Sequence, residues 1–278
     1  MDILKAYKKY KIGIIEVGMV GSALARYFKS KKNIKLFLFD PSKNYYEDIN
    51  QAEIIFICVP TPHSLNRSGF DLTALKEALN IIKGKKIVVI KSTVLPGTTR
   101  EMSKLYPKLR IFFNPEWLTA KNADDDFRNP YLQIVGYVSK KDKPIAKKIL
   151  SLLPKAKIKS CVAQAEIAEA TKIIRNVLSV ATVVIINEIY DILKKAGIEY
   201  ENNKNFSIKD GLEVLSKIPS YHLKVIHKGG RGAGGHCLPK DYAAFINYSK
   251  IVKRPSRLLD LIEKINKNLL KKYPKKEI

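Results

Sequence analysis

Among the residues of this chain, Cys237 is the one best equipped for covalent chemistry. It lies in the run Gly229-Gly230-Arg231-Gly232-Ala233-Gly234-Gly235-His236-Cys237-Leu238-Pro239-Lys240-Asp241. Glycines at this density let a backbone pass close to a ligand and take up conformations with φ > 0. Pro239 suits the first turn of a helix, expected over residues 241–248, because the N–H it lacks is one that a helix leaves unpaired there. A thiol at the positive end of a helix, with Lys240 nearby, has its thiolate favoured. The same peptide also reads as a glycine loop carrying a core cysteine, and the rest of the chain must decide between the two.

A second group of chemically able residues falls on a predicted helix over residues 163–195, about 33 residues and about 50 Å long. It stops at Lys194-Lys195-Ala196-Gly197, a basic last turn followed by a glycine. Glu169, Lys172 and Asn176 are spaced i, i+3 and i+7 and share a face. An amine and an amide one turn apart can hold a developing oxyanion. The plainer reading of the trio is a surface Glu–Lys pair. The apolar middle of the helix, residues 177–186, calls for cover by another subunit or a second helix layer.

The elements that must position these groups alternate. A β-branched run at 11–15 leads into Glu16-Val17-Gly18-Met19-Val20-Gly21 and then a helical pattern over 22–29. A second strand at 35–39 ends at Asp40, at the offset from Gly21 where an acid takes ribose hydroxyls in dinucleotide folds. The helix N-terminus between them would receive a pyrophosphate. Glu16 stands where the first glycine of G-x-G-x-x-G makes the tight turn, and its carboxylate brings negative charge toward a diphosphate. Strands at 53–59, 86–91 and 109–113 alternate with helices at 72–82 and 98–105. A sixth strand at 131–138 and a helix at 141–152 follow. This order predicts an α/β fold with a doubly wound parallel sheet, whose ligands sit at the carboxyl ends of the strands. Three of those ends carry unusual peptides: Val59-Pro60-Thr61-Pro62, Lys91-Ser92-Thr93-Val94-Leu95-Pro96-Gly97-Thr98-Thr99 and Asn114-Pro115-Glu116-Trp117-Leu118. Residues 1–158 are expected to form this dinucleotide-binding domain. Residues 159–278 are expected to form an all-α domain built on the long helix, with short helices at 210–217 and 256–272.

Composition bounds the partners. The formal charge of +25 favours anionic ligands, but the basic residues are spread along the chain. No aromatic-interleaved basic motif points to nucleic acid, and a diffusely lysine-rich surface accounts for the charge as well. Cys58, Cys161 and Cys237 are too few and scattered for a disulfide framework. The basic N-terminus followed by an apolar stretch mimics a secretory signal, yet Glu16 and two glycines interrupt it and a strand–turn–helix explains it better. The longest apolar run is too short to span a bilayer. The expectation is a soluble, cytoplasmic protein that does not engage a membrane.

The peptides VGMVG, VPTP, KSTVLPGTT, NPEWL, AEATKIIRN followed by NEI, and GAGGHCLPKD, in this order over residues 11 to about 268, resemble the UDP-glucose/GDP-mannose dehydrogenase family. GGHCLPKD and KSTVLPGTT are the specific ones. The resemblance implies a Rossmann-like NAD-binding domain and oxidation of a nucleotide sugar at C6, from alcohol to carboxylate, with two NAD⁺. It implies that Cys237 is the nucleophile, that Lys172 and Asn176 stabilise oxyanions, that Asp241 and Thr93 orient the hydrolytic water, and that Glu116 moves protons. It implies cofactor contacts at Gly18, Val20, Gly21, Asp40, Val59, Thr61, Thr93 and Lys240. Substrate contacts fall at Glu116, Lys172, Asn176, Gly230 and Gly234, and a homodimer forms through the long helix. The chain departs from the family pattern at Glu16, at Ala120, where a second acid follows NPE, and in a short connection between Asp40 and Val59. It also stops where the family continues into a further α/β domain that grips the nucleotide, so either a separate chain supplies that domain, or substrate binding is weak, or activity is lost.

Two other readings remain at this stage. A β-hydroxyacid dehydrogenase shares the sheet, the glycine-rich segment and a Lys-x-x-x-Asn helix but needs no thiol. A basic interaction subunit with a decayed NAD site is the non-enzymatic alternative. His222, His227, His236 and Cys237 fit no zinc spacing, and no metal is expected.

Overall fold

The computed structural model describes residues 10–63, 69–119, 121–198, 209–212, 226–227, 230–233 and 237–273. The chain divides into two compact units, Met1–Asn176 and Val177–Ile278.

In the first unit, β1 (Tyr10–Ile15), β2 (Ile34–Asp40), β3 (Tyr45–Tyr46), β4 (Ile54–Ile57), β5 (Ile87–Ile90), β6 (Arg110–Phe113), β7 (Leu132–Tyr137) and β8 (Lys159–Gln164) form one sheet. Its order is β3-β2-β1-β4-β5-β6-β7-β8. Helices α1 (Met19–Lys29), α4 (Ala123–Arg128) and α5 (Lys143–Leu152) cover one face, where Leu24, Phe28, Phe127 and Ile149 pack on Ile14, Phe56 and Phe112. Helices α2 (Thr73–Asn80) and α3 (Thr98–Leu105) cover the other, where Leu75, Leu79 and Met102 pack on Ile55, Ile57, Ile90 and Phe113. With helices on both faces a central strand has no wet side. This is why all of β4, Ile-Ile-Phe-Ile, is buried.

The sheet is mixed rather than wholly parallel. β3 runs antiparallel to β2 and β7 antiparallel to β6, while β1, β2, β4, β5 and β6 are parallel neighbours. At β7 the chain leaves β6, passes through α4 (6 residues) and re-enters the sheet from the edge it left, Phe113 pairing with Gly136, so the two strands run in opposite directions. β8, unforeseen from the sequence, pairs parallel with β7 and continues the sheet past residue 158, where the sequence pattern set a domain boundary.

The short connection after Asp40 has a packing solution. A parallel neighbour normally requires a crossover of a dozen or more residues, usually a helix. Here a two-residue strand and a 3₁₀ turn, Ile49–Gln51, suffice, because Ile49 is buried against β1 at Gly13. A Cβ on Gly13 would lie 2.6 Å from Ile49 Cδ1.

Helix α6 (Ala165–Lys195) has 31 residues, about 46 Å, and starts two residues later than its pattern suggests because residues 163 and 164 pair in β8. Its first turn lies on β7 at Gly136, where a Cβ would come within 2.8 Å of Ala165 Cα. By length and composition α6 passes as a membrane-span candidate, with mean hydropathy 1.5 over its most apolar window. Yet Arg175 and Glu188 bracket its uncharged middle, an interval of roughly 18 Å at 1.5 Å per residue, well short of a ~30 Å hydrocarbon layer.

In the second unit, α7 (Cys237–Ile251) and α8 (Arg257–Lys272) meet the C-terminal part of α6 through Ile192, Ile246 and Leu259. Ser256 caps α8, accepting from Leu259 N–H, and donates to Glu188 Oε2 at 2.6 Å. Arg254 bonds Asp191 Oδ2 at 3.1 Å. The two-residue strands β9 (Ile226–His227) and β10 (Gly230–Arg231) pair antiparallel. Beyond them Asn266 grips the glycine run, accepting from Ala233 N–H at 2.6 Å and donating to Ala233 C=O at 3.1 Å. α7 begins at Cys237 rather than at 241, which leaves Pro239 in the first turn. Residues 209–212 are helical, and the rest of the helix expected at 210–217 lies outside the described residues.

The contact at Gly136 makes a checkable claim. Gly136→Ala forces backbone at the start of α6 to shift and should cost roughly 1–3 kcal/mol in denaturant unfolding. Gly13→Ala, whose Cβ would meet the side chains of Ile49 at 2.6 Å and Ala52 at 3.0 Å rather than backbone, should cost less.

Candidate functional site

The carboxyl edge of the sheet carries two adjoining groups of side chains. The first surrounds the turn after β1. Glu16 has φ 71, a left-handed conformation that glycine adopts freely and other residues adopt at a cost. The turn is tight: a Cβ on Gly21 would stand 2.0 Å from Glu16 C=O, so only glycine lets α1 approach the strand. Gly18 is the N-cap of α1, which has no side-chain cap and no acid in its first turn. The N–H groups of the first turn therefore remain open to an external anion.

Asp40, at the end of β2, accepts from Val17 N–H at 2.8 Å and from Ser42 N–H and Oγ–H at 3.1 and 2.6 Å. Burial tends to raise its pKa, but the bonds from Ser42 and Val17 and the charge of Lys43 outweigh it and hold the carboxyl below its usual value. The adjacent cleft, about 440 Å³, is lined by Ile15, Phe39, Val59 and Ala78, with Glu16, Asp40 and Glu77 at its polar rim. An apolar slot with a fixed acid beside an open helix N-terminus fits the adenosine half of a dinucleotide. At the diphosphate the fit is worse, because the Glu16 carboxylate lies against Gly18.

The second group follows β4, β5 and β6. Thr61 Oγ1 donates to Thr93 C=O at 2.6 Å and Ser92 Oγ to Val59 C=O at 2.6 Å, which ties two of the predicted peptides together. Glu169, fully buried, accepts from Gly97 N–H at 2.6 Å and from Thr99 N–H and Oγ–H at 2.8 and 2.5 Å. It thereby caps α3 from α6. One turn on, Lys172 donates to Glu116 Oε1 at 2.5 Å and to Glu116 C=O at 2.9 Å, with its ammonium 5.7 Å from the centre of the Trp117 ring. The other Glu116 oxygen accepts from Leu118 N–H at 2.6 Å. The surface Glu–Lys pair considered for residues 169 and 172 is thus not what forms: both are buried, and each bonds a different loop. A lysine ammonium has three donors, and Glu116 takes two; among the described residues the third has no partner and can face a substrate oxygen. Asn176 is half-buried one turn further along, with Arg175 as a neighbour at 3.3 Å.

The remaining expected residues divide by position. Val20 lies in the first turn of α1. Gly230 lies in β10, and Lys240 and Asp241 follow Cys237 in the first turns of α7. The side chains of Cys237, Lys240 and Asp241, and the whole of Gly234 and Ala120, lie outside the described residues.

Sequence reasoning missed a buried network beneath the second group. Lys91 donates to Asn114 Oδ1 at 2.6 Å. Asn114 Nδ2 donates to Gln133 Oε1 and to Ile134 C=O, both at 2.8 Å. Burial pulls the Lys91 amine down to about 8, against the upward pull of Cys58 and Glu116. Burial likewise pushes the neighbouring Cys58 thiol up to about 12, so this thiol is no nucleophile. The signal available in the sequence was Gln133, a lone polar residue in an otherwise apolar strand.

Comparison with known proteins adds the chemical context. Residues 8–153 match the NAD binding domain of the UDP-glucose/GDP-mannose dehydrogenase family, and residues 166–268 match that family's central domain. UDP-glucose 6-dehydrogenase of Rickettsia conorii is 31% identical over 232 residues, covering 80% of this chain and 51% of the relative. GDP-mannose 6-dehydrogenase of Pseudomonas aeruginosa is 27% identical, covering 82% and 54%. The chain spans about half the length of the curated relatives it matches. A ternary complex of GDP-mannose dehydrogenase from Pseudomonas aeruginosa shares the fold, with TM-score 0.70 and 21% identity over 94% of this chain and 69% of that one.

Two measurements test this arrangement. Glu169→Ala strands buried N–H donors at the start of α3 and should cost roughly 2–4 kcal/mol in unfolding free energy. Lys91 has a lower pKa folded, about 8, than its ordinary 10.5, so the unfolded chain binds more protons between those values and stability rises with pH there. Relative to Lys91→Met, the parent chain should gain up to roughly 3 kcal/mol between pH 7.5 and 10.5.

Proposed function

The chain belongs to the UDP-glucose/GDP-mannose dehydrogenase family, its first domain is that family's NAD-binding domain, and we propose that it oxidises a nucleotide sugar at C6 from alcohol to carboxylate. The observation that carries the reading is the pairing of buried Lys172 with partly buried Glu116 at the carboxyl edge of the sheet, which among the described residues leaves one ammonium donor for a substrate oxygen. When bound, NAD⁺ supplies the two-electron acceptor for each oxidation.

In this reading Lys172 and Asn176 hold the substrate oxygen as it loses its proton, and Glu116 receives and relays protons. The Cys237 thiol adds to the carbon of the first-formed aldehyde, giving a thiohemiacetal whose oxidation leaves a thioester. Water, oriented by Asp241 and Thr93, breaks the C–S bond, releases the acid and returns the thiol. Gly18, Val20, Gly21, Asp40, Val59, Thr61 and Lys240 contact the cofactor, and Gly230 and Gly234 border the sugar. The start of α7 at Cys237 supports the thiolate, since a helix N-terminus stabilises negative charge.

The partner proposals start from exposure. Ile167, Ile174, Val177, Leu178 and Val184 of α6 are exposed, which supports a homodimer through that helix in the cytoplasm. A second chain or domain that grips the nucleotide is part of the same proposal.

The test is absorbance at 340 nm with NAD⁺ and UDP-glucose or GDP-mannose, with and without an added nucleotide-gripping domain. Two NADH per acid formed is the expected stoichiometry. Cys237→Ser should stop at the aldehyde stage with at least ~100-fold less acid, and Lys172→Met should lower kcat by about 100-fold or more. Full activity of Cys237→Ser on a hydroxyacid would replace this reading with a β-hydroxyacid dehydrogenase. Absence of cofactor binding would favour a basic interaction subunit.

A further inference from the structure

Glu16 lies where the cofactor's charge must arrive. The turn after β1 presents the uncapped N-terminus of α1, the feature that attracts a diphosphate. The Glu16 carboxylate has folded back onto it. Its two oxygens sit 2.2 and 2.8 Å from where a Cβ on Gly18 would be, and the Gly18 backbone N–H favours its charged form. An acid of this chain therefore already occupies part of the ground a diphosphate needs.

Resting on the cofactor reading above, we propose that Glu16 is a proton-linked determinant of dinucleotide affinity. Its carboxylate competes with the cofactor diphosphate for the turn, and binding draws a proton onto Glu16. Two anionic groups cannot share this turn without cost, because a carboxylate beside a diphosphate is repelled and loses the Gly18 N–H. Protonation removes the charge and leaves a donor that can face a phosphate oxygen.

The charged surroundings favour that proton. From β2 and the turn after it, Asp40 faces Glu16 as a like charge and Lys43 as an opposite one. Glu77 of α2 lines the same cleft, and buried Cys58, after β4, lies within electrostatic reach. The first turn of α1 carries no acid. Burial, with Asp40, raises the Glu16 carboxyl above its ordinary value despite the Gly18 N–H and the charge of Lys43. Protonation of Asp40 acts in the opposite sense, since it weakens the ribose contact, and its lowered pKa confines that loss to more acidic solution.

Calorimetric titration of the full chain with NAD⁺ at pH 5.5 and pH 8, for the parent, Glu16→Gln and Glu16→Gly, decides the matter. Melting of each apo protein confirms that it is folded, and glycine is suited to φ 71. The expected result is that both variants bind NAD⁺ about tenfold or more tightly than the parent at pH 8, with the gap closing at pH 5.5. Repeating the parent titration in buffers of different ionisation enthalpy should show proton uptake that both variants lack. Equal affinities at pH 8, or a gap unchanged by pH, would overturn the inference while leaving the cofactor reading intact. No NAD⁺ binding by any folded variant at either pH would overturn both.

Discussion

The first two turns of α6 hold the working edge of the sheet in place. Glu169 closes on the start of α3, and Lys172 closes on the loop after β6. Each of these loops would otherwise leave polar backbone exposed at the end of a buried strand. With Glu169 and Lys172 buried and Glu116 partly so, the bonds are strong only if every partner stays in register. The loops cannot move independently of the helix, and the helix cannot move without loosening both. Anything bound at this edge meets a surface whose shape depends on how α6 is seated.

Beneath that edge the molecule tolerates an unusual charge. The Lys91 ammonium has an amide oxygen at 2.6 Å and the Phe127 ring at 5.6 Å for company, and among the described residues no carboxylate forms an ion pair with it. A bare buried ammonium costs several kcal/mol. The fold recovers part of this by the attraction of Glu116 and by fixing Asn114, whose two N–H donors are already committed. The loop that carries Glu116 thus rests on an amide whose three bonds determine its orientation.

Much of this was legible in the residues. The spacing from Gly21 to Asp40 announced the first strand–helix–strand unit, and the peptides at the strand ends marked the loops that come together. The pairing of Thr61 with Thr93 lies within those peptides, and Lys172 reaches Glu116 from α6. What could not be read locally was set by distant neighbours. Glu169 looks like a surface acid until α3 is seen to start against it, and Lys91 looks solvated until Asn114, Phe127 and Cys58 are seen around it. The reversal at β7 comes from a connection that returns to the edge it left, and β8 pairs with the free side of β7. The alternation of strand and helix predicts layers well, but it is silent on which edge a connection returns to.

The seat of Ile49 at Gly13 has a consequence for how this fold varies. The side chain of residue 49 fills the volume that a hydrogen leaves open on β1, and in doing so it takes the place of an entire covering helix. The two positions form a lock and its key. A group much larger than a methyl at 13 must displace the isoleucine and uncover the strand, while a smaller group at 49 leaves a hole against β1. Bulky substitution at 13 therefore calls for a compensating change at 49, or for the return of a full-length crossover.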